Sequence, residues 1–100
     1  MANKALEFHP EARAEARVSL LWYRRRSVRT GEAFLAELDQ AIETILQAPD
    51  RWSLDASGYR RFRLRRFPFV IVYGDKPATV QIIAIAHASR RPGYWQHRQF

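Results

Sequence analysis

The 100-residue sequence has no cysteine and only two lysines, Lys4 and Lys76. Without cysteine, disulfide staples and thiolate metal sites are excluded. The three histidines, His9, His87 and His97, lack the i, i+4 spacing of a zinc-binding helix, so neither a metal nor another cofactor is expected. Long apolar runs are missing as well. The longest, Thr79–Ala86 with Gln81 inside it, falls far short of the roughly 20 residues that span a bilayer. Met1–Leu6 is short, polar and followed by charge, unlike a signal peptide. The expectation is a cytoplasmic protein with no membrane association. Internal repeats and low-complexity segments are also lacking.

What the chain has in excess is arginine. Seventeen basic residues stand against ten acidic ones, and with two lysines among them fifteen are arginine. Up to Ser57 eight basic residues face nine acidic ones, whereas from Gly58 onward nine face a single acid, Asp75. The positive field therefore belongs to the C-terminal half and favours an anionic partner, phosphate or acidic protein. The planar guanidinium suits bidentate contact with either, with a solvated basic surface as the plain alternative. Aromatics at 13% and hydrophobic residues at 47% allow a modest core in one domain, residues 1–100. A domain of this size buries about 65% of its unfolded surface.

Local patterns give an order of elements. Ala5–Phe8 alternates as a short edge strand. His9-Pro10-Glu11 reads as a helix start, with proline in the first helical position and a carboxylate in the first turn. This helix is expected to run to about Val28, with Val18, Leu21, Trp22 and the alanines 12, 14 and 16 facing inward. Arg24, Arg25 and Arg26 suit the negative end of its dipole. Thr30-Gly31 reads as a break before a second helix, Glu32 to Ala48, whose apolar residues recur at three and four and which Pro49 stops. Two helices so closely linked form an antiparallel hairpin.

After a polar loop carrying Trp52, Tyr59–Leu64 alternates, with Phe62 and Leu64 on one side and Arg61 and Arg63 on the other. Pro68–Tyr73 is apolar on both faces, as in a central strand. Gly74-Asp75-Lys76-Pro77 reads as a hairpin turn, Thr79–His87 as a further strand, and Arg90–Phe100 as a basic, aromatic tail. The expected fold is α+β: an N-terminal strand, then an antiparallel helical hairpin packed on a mainly antiparallel sheet of three to four strands.

The C-terminal half carries the more specific signal. Tyr59-Arg60-Arg61-Phe62, Arg66-Phe67-Pro68-Phe69-Val70-Ile71-Val72-Tyr73 and the segment from Ile85 through His87, Arg90, Arg91, Pro92 and Gly93 to Tyr94-Trp95 resemble the toxins of the RelE/ParE superfamily, segment by segment. The paired helices and the chain length match as well. One departure is Arg91, where family members often carry an acidic residue before the proline.

The resemblance implies the toxin of a type II toxin–antitoxin system, held by an acidic antitoxin in a hetero-oligomer. Two modes of action follow from it. ParE-like members inhibit DNA gyrase without hydrolysing anything; RelE-like members cut mRNA on the ribosome. Cleavage by 2′-hydroxyl attack needs a general base, a general acid and cations around the phosphate. For that chemistry the candidates are His87, Arg90 and Tyr94; for target binding they are Arg61, Arg63, Arg90, Arg91 and Tyr94. Trp95 is read as the anchor of the tail. Strand lysines of the kind RelE-type ribonucleases use are missing, and arginine is a poor base, although a histidine is suited to that role and His87 or His97 could substitute. The ParE-like, non-catalytic mode is therefore favoured over mRNA cleavage. A plain nucleic-acid-binding module is a third reading, but no helix-turn-helix is left once both helices form the hairpin.

Overall fold

The computed structural model describes residues 4–100; Met1–Asn3, part of the segment read above for a leader, lie outside them. Two helices cover one face of a four-stranded mixed sheet. The elements in chain order are β1 (Ala5–Phe8), α1 (Pro10–Arg26), α2 (Val28–Gln47), β2 (Arg60–Arg63), β3 (Phe69–Asp75) and β4 (Thr79–His87). In space the strands run β1-β4-β3-β2. β2, β3 and β4 form the expected antiparallel meander, and β1 returns to lie parallel to β4 at the edge.

Capping chemistry sets the helix boundaries. The His9 ring accepts a hydrogen bond from the Glu11 N–H, and Pro10 opens α1. Ser27 is the whole link between the helices. Its backbone N–H closes α1 on the Tyr23 carbonyl, and its hydroxyl oxygen accepts from the Thr30 N–H to start α2. The expected break at Thr30-Gly31 is therefore wrong, and α2 begins at Val28. Gly31 sits inside the helix for a packing reason: a Cβ there would stand 2.2 Å from Arg24 Cγ. It lets α2 pass close against the end of α1.

The main core lies between the helices and the sheet. Ala12 of α1 and Phe34, Leu38, Ala41 and Ile45 of α2 pack on Phe69, Ile71, Tyr73, Val80, Ile82 and Ile85, with Leu20 and Tyr23 half-buried beside them. The inward face of α1 is thus Ala12, Ala16, Leu20 and Tyr23. Val18, Leu21 and Trp22, expected inside, are instead 66%, 45% and 48% exposed, and Ala14 is exposed as well. Tyr73 donates from its hydroxyl to the Pro49 carbonyl at 2.6 Å, fastening the chain just past α2 to the central strand. Burial there pushes its pKa up to about 12.

Two further departures concern the C-terminal half. Gly74 and Asp75 belong to β3, so the hairpin turn is Lys76–Ala78, closed by Lys76 N–H donating to the Thr79 carbonyl. The segment after β4 is more than a tail. Trp95 is buried against Val72, Ile83 and Ala84, forming a second, smaller core on the sheet face away from the helices.

β4 also carries a bulge. Val72 pairs with Ala84 and Tyr73 with Ile82, which leaves Ile83 unmatched. An extra residue of this kind shifts the pleat and re-aims the groups that follow. Ile83 accordingly joins the smaller core, while Ile85 returns to the helix side.

Candidate functional site

Strand register decides which basic residues meet. Arg61 is opposite Val72 and Arg63 opposite Val70, and these valines are opposite Ala84 and Ala86. Directly opposed residues share a face, so all six lie on the face away from the helices. Pro92-Gly93 brings the following chain back over that face, with Gly93 at φ 77°, a left-handed conformation that glycine adopts without strain. Arg61, Arg63, Arg90, Arg91 and Tyr94 together line one depression of about 170 Å³. All the residues named above for target binding are therefore brought together.

Their surroundings differ. Arg61 pairs with Asp55 at 3.0 Å, an acid held below its usual range: burial works upward, but bonds from Ser57, Arg61 and Tyr59 outweigh it. Arg90 lays its guanidinium over the Tyr94 ring, 3.8 Å from the centroid. Among the described residues Arg63, Arg90 and Arg91 make no side-chain hydrogen bond or ion pair, and all three are exposed. Arg66, by contrast, is spent on Glu37 of α2, which also accepts the Arg65 and Arg66 backbone N–H groups and so ties the β2–β3 turn to the helix.

The candidates for proton transfer are less well placed. His87 follows Ala86 in β4, so its ring falls on the opposite face, edge-on to Phe69 with centroids 5.0 Å apart. His87 also contributes to the lining of the arginine depression, between Ala86 and Ala88. Its Nδ1 accepts from the Ser89 N–H at 3.0 Å, and the Ser89 hydroxyl lies 2.7 Å away. His97 lies near the start of α1, 4.0 Å from Glu11. Tyr94 donates its hydroxyl to Glu15 at 2.5 Å; burial, then that bond and the Glu15 charge, raise its pKa well above the usual phenol value. The lysines are remote: Lys4 pairs with Asp75 of β3, and Lys76 is in the β3–β4 turn.

Local pattern gave no sign of the group that holds this segment in place. β1 covers the edge of β4 only as far as Ile82. Beyond it, Glu15 of α1 accepts the Ile85 N–H at 3.0 Å, while Arg98 donates to the Ile83 carbonyl at 3.0 Å. The two side chains also form a bidentate pair at 2.8 and 3.0 Å, and together they replace the strand that the edge lacks. Burial pulls the Glu15 carboxyl upward, but the bonds from Arg98, Tyr94 and Ile85 and the Arg98 charge hold it below its ordinary value. Arg98 is buried, and its guanidinium and that of Arg90 both approach the Tyr94 ring, 5.1 and 3.8 Å from the centroid. The one available hint in the sequence was the position of Glu15 between Ala12, Ala16 and Ser19 on the sheet side of α1.

The profile of the ParE toxin of the type II toxin–antitoxin system parDE matches residues 6–92. The chain belongs to the ParE toxin family. The toxin is also similar in structure to a chain of the chromosomal ParDE TA system from P. aeruginosa, with a TM-score of 0.71 at 18% identity over 86% of this chain and 97% of that one. Likeness at that identity concerns the fold. No match was found among curated proteins. Among the described residues the toxin has no helix long and apolar enough to cross a membrane.

Proposed function

We propose that the toxin acts as a non-catalytic inhibitor of DNA gyrase, neutralised in a hetero-oligomer by an acidic antitoxin. The observation that carries the first part is the parity of β4. The arginines gather on one face of the sheet, while the His87 ring lies on the other. The Tyr94 hydroxyl is committed to Glu15. Guanidinium groups stabilise negative charge but do not take up a proton near neutrality, so the arginine face suits binding better than 2′-hydroxyl attack. Membership of the ParE family supports the same reading.

The exposed stripe on α1 supports the second part. Val18 and Trp22, with Tyr23, Pro68 and Phe69, line an apolar groove of about 500 Å³. An amphipathic segment that orders on binding would fill such a groove with its apolar side, and its acidic side would meet the +8 C-terminal half.

Purified toxin should block gyrase supercoiling or trap cleaved DNA, and the antitoxin encoded beside it should relieve the effect. Ribosome-dependent mRNA cuts that vanish with His87→Ala would sink this reading in favour of an endoribonuclease. Loss of a general base typically costs roughly 10²–10⁴ in rate, so the two assays must compare rates.

A further inference from the structure

We infer that the arginine face binds the phosphodiester backbone of duplex DNA directly, so that the toxin touches the nucleic acid as well as the enzyme that holds it. The inference rests on the gyrase reading for its choice of duplex DNA over other phosphodiesters. Three observations carry it.

The first is unspent charge. Arg63, Arg90 and Arg91 are exposed around one depression, and none has a side-chain hydrogen bond or ion pair among the described residues, Arg90 resting only on the Tyr94 ring. Like charges gathered in this way repel one another until an anion relieves them. Charge on an edge strand also discourages edge-to-edge pairing, which accounts for Arg61 and Arg63 but leaves Arg90 and Arg91, beyond β4, unexplained.

The second is that no exposed large hydrophobic side chain of the described residues stands among the arginines. Protein interfaces have a desolvated apolar core, whereas protein–DNA interfaces are polar and strongly positive. Among the described residues the exposed large hydrophobics are Leu6, Val18, Leu21, Trp22, Val28, Leu35, Leu54 and Phe100, and none of them lines the arginine depression. The toxin thus offers two different surfaces: an apolar one on α1 suited to a protein segment, and a charged one suited to phosphate.

The third observation separates duplex from single strands. Single-stranded nucleic acid is held largely by bases stacking on aromatic faces. Here Trp95 is buried, and Arg90 and Arg98 both lie over the Tyr94 ring. With no open aromatic platform beside the arginines, the contacts left there are those to backbone phosphates, which fix position without reading sequence.

The test is fluorescence anisotropy of the purified full-length toxin with a short labelled duplex of arbitrary sequence, titrated between roughly 50 and 200 mM salt. Three neutralised phosphates give a log–log salt slope of about −3. R63Q, R90Q and R91Q should each flatten it by about 1 with unchanged melting temperature, and R17Q, on an exposed turn of α1 away from the depression, should leave it alone. A single-stranded RNA of equal length should bind more weakly. The inference is overturned by no binding at the lowest salt, by slopes that ignore the three variants, or by tighter binding of the RNA. A toxin that binds DNA but spares gyrase keeps this inference and defeats the gyrase reading. A gyrase inhibitor without DNA affinity does the reverse.

Discussion

Arg98→Ala removes the cation that closes the open edge of β4. The Arg98 side chain is 4% exposed and Glu15 15%, so both charges are largely out of water. Deleting one member of such a pair typically costs about 3–5 kcal/mol, because the other is left buried and uncompensated. Glu15 would keep the Ile85 N–H and the Tyr94 hydroxyl, which places the loss at the lower end. The Ile83 carbonyl, orphaned at the same time, adds about 1 kcal/mol. A drop of about 3–4 kcal/mol is a large share of the roughly 5–15 kcal/mol that stabilises a domain of this size. Urea denaturation of the full chain reads it directly. Glu15→Gln should cost somewhat less, since it leaves Arg98 with only the Glu11 carboxylate, at 3.7 Å, as counter-charge. Arg98→Ala combined with Glu15→Gln should cost less than the two singles together by at least about 1 kcal/mol. A loss below about 1 kcal/mol for Arg98→Ala, or strict additivity in the double variant, would show that the pair is not the clamp described here.

The same carboxylate gives the toxin an acid limit. Because the Glu15 pKa is lowered on folding, its contribution is fully present above the ordinary value of 4.5 and is lost as pH falls through the lower folded value. Glu37 and Asp55 act in the same direction. Melting temperature should therefore fall steeply below about pH 4.5, and less steeply in Glu15→Gln; an equal slope in both would contradict the assignment. Gly31→Ala should destabilise by about 1 kcal/mol, overpacking at Arg24 outweighing the helix propensity gained, and equal or greater stability would mean that the helices part readily. Tyr94→Phe loses the bond to Glu15, at about 1.5–3 kcal/mol, but keeps the ring under Arg90. Growth inhibition should survive Tyr94→Phe and fall with Tyr94→Ala, whereas equal loss in both would assign the hydroxyl, rather than the ring, to function.

The parts of the fold legible in the sequence were those whose reason is local. β4 has the expected bounds, Thr79–His87, because its apolar run ends at polar residues on both sides. The alternation of Arg61 and Arg63 with Phe62 and Leu64 likewise placed the arginines on one face before any coordinates. Where two elements share a cause, local pattern misled. Thr30-Gly31 looks like a helix break until α1 is seen to need the space that a Cβ would take. Val18, Leu21 and Trp22 suggested a buried stripe, but small residues, Ala12 and Ala16, bring α1 close to the sheet and turn the large ones outward. His87 was legible as a titratable group at a strand end, yet its face depends on a bulge at Ile83 that no periodicity announces. Arg98 finds its partner 83 positions earlier, a distance over which a pattern read along the chain has no reach.

The pairing of the first strand with the last sets an order on the protein's synthesis. β1 has no neighbour until residues 79–82 have been made, and Glu15 has no cation until residue 98. Contacts so far apart in sequence form late, after the entropy of closing a long loop has been met. The apolar sides of α1 and α2 meanwhile wait for the strands that will cover them, and the arginine face does not exist until Arg90 and Arg91 have joined Arg61 and Arg63. The growing chain therefore has no assembled arginine face until residues 90 and 91 have been made and folded back over the sheet.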